Sequence, residues 1–590
     1  MEGVIMTDYR DPSLPIGVRA QALLSQMTLA EKIGQMTQVE KNSLTLDETK
    51  DKFIGSVLSG GGGSPSPNTP RAWLEMVTSF QRAALETRLG IPLLYGVDAV
   101  HGHNNVYGAT IFPHNVGLGA AHDPDLVERI GRATAEEVAA TGIFWNFAPT
   151  VAVPQDIRWG RTCEGYGENI ELVTALGAAY IRGLQSAWPQ VAATAKHFIG
   201  DGGTTFGSST TIIMNYRYLL DQGVVTMDED PLRARFLPPY RAAVDAGVFC
   251  IMVSFNSWNG VKMHAHQYLL TDVLKGELGF TGFLVSDWQA IDQIPGGYHN
   301  AVVTSINAGL DMIMVPYDYD RFISEATQAV ESDEISMERI DDAVRRILAV
   351  KFKLGLFERP LADPAALACV GSQAHCALAR EAVRKSLVLL KNETGALPIA
   401  KDTSVIFVGG QAADDIGLQC GGWTIEWFGA RGNITPGTTI LDGLKQTVSP
   451  KARVEFDSSG EFDGSADVGV AVVAEEPYAE GMGDREDLTL ADGDVALIER
   501  MRARCNRLIV IVISGRPLIL TDQLPKIDGL VAAWLPGTEG AGVADVLFGD
   551  YRFTGKLPYT WPRSMSQIPM PSGGGGARLF PFGYGLEVEK

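Results

Sequence analysis

The sequence predicts an α/β protein built in two units, a (β/α) barrel followed by a smaller α/β domain. Three observations carry this. Apolar, strand-like segments alternate with helical periodicity up to residue 360; polar clusters recur just past the ends of those segments; and a fresh set of strands begins beyond FERPLADP, residues 357–364. Alternating strands and helices imply a parallel sheet, and in a barrel the chemistry collects at the C-terminal ends of the strands. A doubly wound sheet is the alternative, but about seven or eight strand-like segments favour the barrel. The chain of 590 residues is too long for one core, so roughly two to four domains are expected.

Composition narrows the function classes. Apolar residues make up 45% and charged residues 20%, as in a globular protein, and 65 glycines supply many tight turns. A formal charge of −21 disfavours nucleic acid and anionic membrane as partners and suits a neutral or cationic ligand. No run of apolar residues is long enough for a transmembrane helix. The N-terminal stretch MEGVIMTDYRDPSLPIG has no basic segment followed by an apolar one. The chain as it stands therefore reads as cytoplasmic, or as periplasmic or secreted if a leader has been removed. The six cysteines form no CxxC pair, so neither a zinc site nor a disulfide framework is indicated.

Taken in order, residues 17–36 have helical spacing, and Thr28 followed by Glu31 is a capping-box signature that starts a new helix at Leu29. Ser59–Ser66, SGGGGSPS, reads as a flexible loop, because no GK[ST] follows to make a phosphate cradle. IPLLYGVDAVHG (91–102) is a strand ending in Asp98, His101 and His103. The HGH pair invites a metal reading, but Gly102 interrupts an extended run and no third ligand follows, so a hydrogen-bonding loop is preferred. A helix over 125–141 precedes the apolar segment 143–153 and a polar loop holding Arg158, Arg161, Glu164 and Glu168. A helix over 170–185 precedes 191–203, where Lys196, His197 and Asp201 follow an apolar run. Next come a helix over 230–246, the segment 248–260 and GFLVSDW, whose buried apolar run delivers Asp287 beside Trp288. A carboxylate at the end of a buried strand is costly to keep ionised and needs partners or a task. INAGLDMIMVP (306–316) reads as one more strand with Asp311 in its middle, and a helix over 338–357 closes the unit.

The expected boundaries are a barrel over 1–360, a linker over 361–373 and a C-terminal unit over 374–590. The second unit opens with a helix over 374–390 and continues with strands near 404–410, 452–459, 468–477, 507–515 and 529–537. Its polar islands are CGGWTIEWFG, with Trp423 and Trp427, and EEPYAEGMGDREDLTL, with Glu475, Glu476 and Glu480. The indoles are either core residues or plates for the apolar CH face of a sugar ring. The acidic loop is either a solvated loop, a calcium-like site, or the source of a proton donor. Asp, Arg, Lys and His around hydroxyls, with Trp as platform, suit a polyol ligand. Cleaving a glycosidic bond needs two carboxyl groups of unequal protonation, and Asp287 suits the ionised one. On chemistry alone Glu475, Glu476 and Glu480 all remain candidates for the other.

Seven ordered motifs carry a resemblance: GVDAVHGHNNVYGATIFPHNVGLGA, RWGRTCEGYGE, AKHFIGDGG, SWNGVKMH, GFLVSDW, CGGWTIEW and PYAEGMGD. The chain resembles family 3 glycoside hydrolases, close to exo-acting β-glucosidases and β-glucan glucohydrolases, over almost its whole length. The resemblance implies an N-terminal (β/α)8-type TIM barrel, a C-terminal α/β sandwich and an active site at their interface. It implies Asp287 as a nucleophile forming a covalent glycosyl-enzyme and Glu480 as the acid/base, with carboxyl groups roughly 5 Å apart. Asp98, Arg161, Lys196 and His197 resemble the residues that hold the glycone hydroxyls. Trp288 resembles part of the pocket wall, and Trp423 with Trp427 the clamp on the next sugar. Phe255 replaces the tyrosine of the close plant-like pattern, removing one hydroxyl near the pocket. KHFIGDGGTTFG carries Asp201 and no DSH triplet, which argues against a histidine acid/base and for Glu480.

The implied activity is release of glucose from the non-reducing ends of β-glucans, short β-linked oligosaccharides and β-glucosides. The alternatives are a β-xylosidase or dual-specificity β-glycosidase of the same fold and, from another class, a non-catalytic carbohydrate-binding protein. No cofactor is implied for the chemistry; a structural calcium or magnesium ion is an open expectation. Linkage preference and oligomeric state do not follow from the sequence.

Overall fold

The computed structural model describes residues 8–393, 395–570 and 577–587. Residues 1–7, where the stretch read for a leader begins, lie outside the described residues.

Eight short parallel strands close into a barrel. Ile313–Met314, Thr37–Glu40, Ser56–Ser59, Leu94–Val97 and Trp145–Asn146 form one run, and Thr194–Phe198, Cys250–Val253 and Phe283–Val285 form another. Parallel bridges Trp145↔Ala192 and Val285↔Met312 join the two runs at both seams. The strands are flanked by helices such as Pro70–Leu85, Pro124–Ala140, Ile170–Ser186, Glu229–Asp245 and Met337–Lys353. Local chemistry starts several of them. Both Thr28–Glu31 and Thr45–Glu48 form complete capping boxes, and the Asp123 carboxylate accepts the Leu126 N–H ahead of a Pro at the first helical position. Trp145 packs edge-on against Phe147 and Phe283, with ring centroids 4.8 and 5.1 Å away, which ties the segments on either side of the barrel into one core.

The barrel differs from the sequence reading in four segments. Thr37–Glu40 (TQVE) and Ser56–Ser59 (SVLS) are strands that the apolar pattern does not single out. Their polar side chains are buried and bonded inside, Gln38 Nε2 to Ser56 Oγ at 2.8 Å and Ser56 Oγ to the Leu94 carbonyl at 2.8 Å. Residues 306–316 are not one strand: helix Tyr298–Ala308 ends there, and only Ile313–Met314 is extended. Asp311 stands outside the strand. Its buried carboxylate accepts the Leu284 N–H and Lys275 Nζ, each at 2.8 Å, and pairs with Arg339. It thereby braces the strand that ends at Asp287. Within segment 143–153 only Trp145–Asn146 is strand, and Thr150 beyond it makes an isolated parallel bridge to Lys196.

The second unit is a six-stranded sheet. Its order is Val388–Asn392, Gly529–Trp534, Cys505–Ile513, Ala466–Ala474, Val405–Gly409 and Arg453–Asp457. All neighbours are parallel except Val388–Asn392, which runs antiparallel along Gly529–Trp534. This edge strand corrects the helix read over 374–390: the helix is Gln373–Ser386, and the apolar run after it becomes strand. Leu387 to Leu390 are all buried, and a strand covered on both faces buries successive side chains where a helix would expose some. Helix Gln373–Ser386 also bridges the units. Ala379 and Ala382 belong to the barrel's core and Val383 to the core of the sheet.

Candidate active site

One cavity of about 900 Å³ opens where the C-terminal ends of the barrel strands face the second unit. Asp98, Arg161, Lys196, His197, Phe255, Asp287, Trp288, Trp423, Trp427 and Glu480 all line it. The sequence brings them from distant positions, and the strand ends do the gathering.

Asp98 follows strand Leu94–Val97, and its carboxylate accepts Lys196 Nζ at 2.8 Å. The side-chain amides of Asn104 and Asn105 both donate to the Asp98 carbonyl at 3.0 Å, so the polar loop after the strand holds the residue's backbone. His101 and His103 stay in that loop as buried structural groups. His101 stacks on His114 and His103 Nε2 lies 2.9 Å from Thr141 Oγ1. Among the described residues no group of three or more His, Cys, Asp or Glu is placed to hold a metal ion.

Asp287 emerges from Phe283–Val285 with its side chain 14% exposed. Trp288 N–H donates to Asp287 Oδ1 at 2.7 Å, and His197 Nε2 lies 3.7 Å from Oδ2. The Asp287 N–H donates to His264 Nε2 at 3.1 Å; burial pushes His264 down to about 3, which leaves that nitrogen free to accept. Burial raises the Asp287 carboxyl to about 6, opposed by the Arg161 guanidinium, the Trp288 N–H and Lys196.

Glu480 begins the turn Glu480–Gly483 with φ +52°, in the left-handed region. Its carboxylate is 3.3 Å from Arg161 and 17% exposed. Burial raises it to about 8; Arg161 opposes the shift, and Asp221, Asp287 and Glu164 reinforce it. Arg161 is shared with Glu164 at 2.8 Å. Burial works against the Glu164 charge, but Arg161, Lys196 and the Trp423 indole hold its carboxyl below the usual value. The three glutamates left open by chemistry alone now separate, and the one the family resemblance implied is the one at the cavity. Glu475 is buried against Arg516 at 3.1 Å, Glu476 pairs with Arg431 at the surface, and of the three Glu480 alone lines the cavity.

The turn carrying Glu480 is locked against the barrel. A Cβ on Gly160 would lie 1.9 Å from the Glu480 carbonyl oxygen, so only glycine permits that approach. Asp484 accepts the Gly160 N–H through Oδ1 at 2.8 Å, and through Oδ2 the N–H groups of Leu219, Leu220 and Asp221 at 2.9, 2.7 and 2.9 Å. Arg516 donates to the carbonyls of Gly483 at 2.6 Å and Arg158 at 3.0 Å. The acidic loop is thus a latch between units, with Asp484 in a cradle of backbone donors.

The aromatic residues are not equivalent. Trp423 is 5% exposed, and its Nε1 donates to Glu164 Oε1 at 3.1 Å. That hydrogen bond fixes it in the wall, while Trp427, which also lines the cavity, stays half-buried. Trp288 and Trp427 are half-buried and rest on one support, the loop Gly60–Gly63. A Cβ on Gly60 would meet the Trp288 ring at 3.0 Å, and one on Gly61 would meet Trp427 Cβ at 2.8 Å. The glycine loop read as flexible is therefore a packed floor of the cavity. Phe255 lines the cavity as well, and its carbonyl accepts Lys262 Nζ at 2.9 Å.

Models of the glycosyl hydrolase family 3 N terminal and C-terminal domains match residues 28–350 and 387–588. The chain belongs to glycosyl hydrolase family 3. This family 3 hydrolase is similar to an exo-1,3/1,4-beta-glucanase from a Pseudoalteromonas species, with 41% identity and a TM-score of 0.91 over 99% of this chain and 75% of that one. It is 33% identical to a lysosomal beta glucosidase of Dictyostelium discoideum, covering 96% of this chain and 75% of the relative. It is 30% identical to a beta-xylosidase of Formosa agariphila, over 97% and 79% respectively. The (β/α) barrel followed by an α/β unit is the architecture it shares with its structural relatives.

Sequence reasoning gave no role to Glu164, His264 or Asp221. Glu164 is one of several charged residues in its polar loop and His264 lies inside the motif SWNGVKMH, with no spacing that singles either out, and Asp221 follows an irregular segment. Their effect arises only when the chain brings them beside Arg161, Asp287 and Glu480.

Proposed function

We propose that this family 3 hydrolase is a retaining exo-β-glucosidase. The observation that carries the reading is the pairing of Asp287 and Glu480 across one cavity in unequal environments, the first raised to about 6 and the second to about 8. Near neutral pH the first is ionised and the second protonated, which is the division that double displacement requires. Asp287 attacks the anomeric carbon while Glu480 protonates the departing oxygen. Glu480, now ionised, takes a proton from the water that frees the sugar. Asp98, Lys196, His197 and Arg161 offer a dense set of charged donors and acceptors for glycone hydroxyls. Trp288 and Trp427, as the two half-buried indoles, are the proposed plates for the sugar beyond the cleaved bond.

The test is monosaccharide release, glucose from laminaribiose, cellobiose, gentiobiose and sophorose and xylose from xylobiose, with NMR of the first-formed anomer. Rapid β-glucose supports the proposal. Initial α-glucose overturns the covalent intermediate, and turnover of xylobiose alone moves the assignment to a β-xylosidase.

The same pair predicts a bell-shaped pH profile for kcat/KM. Activity falls as pH drops through about 6, because Asp287 takes up a proton, and falls as pH rises through about 8, because Glu480 loses one. The two limbs report the interacting pair rather than either group alone. A profile still rising at pH 9 would contradict Glu480 as the acid.

A further inference from the structure

A short hairpin stands at the cavity. Ile212–Ile213 pairs antiparallel with Tyr216–Arg217, and Met214 and Asn215 make the two-residue turn at φ +51° and +66°, the turn whose twist suits a tight hairpin. Thr211, Ile212 and Ile213 line the cavity. Ile212 is nevertheless 66% exposed and Met214 71%. A single exposed aliphatic residue needs no explanation. Two neighbouring ones, Ile212 on a strand that lines the active-site cavity and Met214 in the turn just beyond it, form an apolar surface with nothing laid on it.

The anchoring of the hairpin says which end of a substrate it meets. Tyr216 Oη donates to the Asp484 carbonyl at 2.6 Å, and the N–H groups of Leu219, Leu220 and Asp221 hold the Asp484 carboxylate. The Tyr218 ring lies so close to Gly481 that a Cβ there would be 2.3 Å from it. On another side Thr211 Oγ1 donates to Gln222 Oε1 at 3.0 Å, Gln293 Nε2 donates to the same oxygen at 2.9 Å, and Lys262 Nζ donates to Gln293 Oε1 at 2.6 Å. The hairpin is therefore tied both to the loop bearing Glu480 and to the barrel loops. A group that protonates the departing oxygen faces the leaving group, so a wall fastened to its loop borders the aglycone. The hydroxyl-binding candidates Asp98, Lys196 and His197 come instead from barrel strand ends.

We propose that hairpin 211–217 forms an aglycone subsite for an apolar group, the alkyl or aryl portion of a β-glycoside. The proposal rests on the glycosidase reading of the cavity and on Glu480 as its acid. Ile212 and Met214 offer no donor or acceptor to the hydroxyls of a second sugar, and Thr211, Gln222 and Gln293 already bond to one another. Tyr317, 54% exposed and edge-on to Trp288 at 5.6 Å, adds apolar surface to the same cavity.

The experiment compares methyl and hexyl β-glucosides, whose leaving groups are chemically alike, in the full chain and in an Ile212→Ser/Met214→Ser variant. The wild-type kcat/KM ratio of hexyl to methyl is expected to be at least about tenfold, since the five added methylenes need only partial burial to give it. The ratio should fall severalfold in the variant, with Trp288, Trp427 and Tyr317 left in place, and return in Ile212→Leu/Met214→Leu. A ratio within each protein is independent of how much of it folds. Calorimetric binding of hexyl and methyl β-glucosides and β-xylosides to the Asp287→Asn chain, with and without the serine pair, gives the same comparison without turnover. A wild-type ratio near one, or a ratio the serine variant leaves unchanged, overturns the subsite. Failure of the β-glucosidase reading looks different: no glucose from any substrate, with the alkyl preference still present in binding or carried by xylosides.

Discussion

Asp287→Asn is expected to lower kcat for every substrate by roughly four orders of magnitude or more, while the thermal midpoint moves little. The replacement is nearly isosteric, and the contacts that hold the residue survive it. The Trp288 N–H can still donate to Oδ1, and the backbone N–H at 287 to His264 Nε2. What disappears is the anion proposed to form the bond to the anomeric carbon, and an amide is too weak a nucleophile to replace it. The loss falls on the chemical step, so substrate affinity should change far less than kcat. Removing this charge also removes one of the influences that raise Glu480, so residual activity should lose its alkaline limb at a lower pH. Steady-state kinetics with calorimetry on the same preparation checks both parts. Activity within tenfold of wild type would remove Asp287 as nucleophile.

Glu480→Ala is expected to cost on the order of 10²–10⁴-fold with disaccharides and much less with activated aryl glucosides. A sugar alkoxide is a poor leaving group and needs a proton as the bond breaks; a nitrophenolate does not. Arg161 should stay in place, because Glu164 still holds it at 2.8 Å, so the effect should be confined to proton transfer. Comparing kcat/KM for cellobiose and nitrophenyl β-glucoside in the variant separates the possibilities. Equal losses on both substrates would mean that Glu480 is not the proton donor. Its neighbours could not take over readily: Glu475 is committed to Arg516 and Glu476 to Arg431.

Much of the architecture is legible without coordinates because it depends on local rules. The capping box at Thr28–Glu31 starts a helix where expected, and FLV ahead of Asp287 is a strand. The errors have physical causes. Strands TQVE and SVLS escape a hydrophobic pattern because their polar side chains bond to one another within the barrel. The run at 387–390 suits helix or strand, and the open edge of Gly529–Trp534 decides for strand. SGGGGSPS looks flexible because glycine permits motion, yet here its missing side chains let Trp288 and Trp427 pack down on it.

Periodicity and motif order survive in one dimension. The alternation of strands and helices, the family, and the residues that meet in the cavity could therefore be read from the chain alone. Why Glu475 and Glu476 are withheld from the cavity that the resemblance already gave to Glu480, which indoles stay half-buried, and how the two carboxyl groups come to differ were settled by folding in three dimensions. Those properties depend on burial and on charges from remote parts of the chain. Arg161 lies between Glu164 and Glu480, and Asp484 pins residues 219–221 beside them. Such fields act through space over a few ångströms, between residues separated by hundreds of positions, so no spacing along the chain records them.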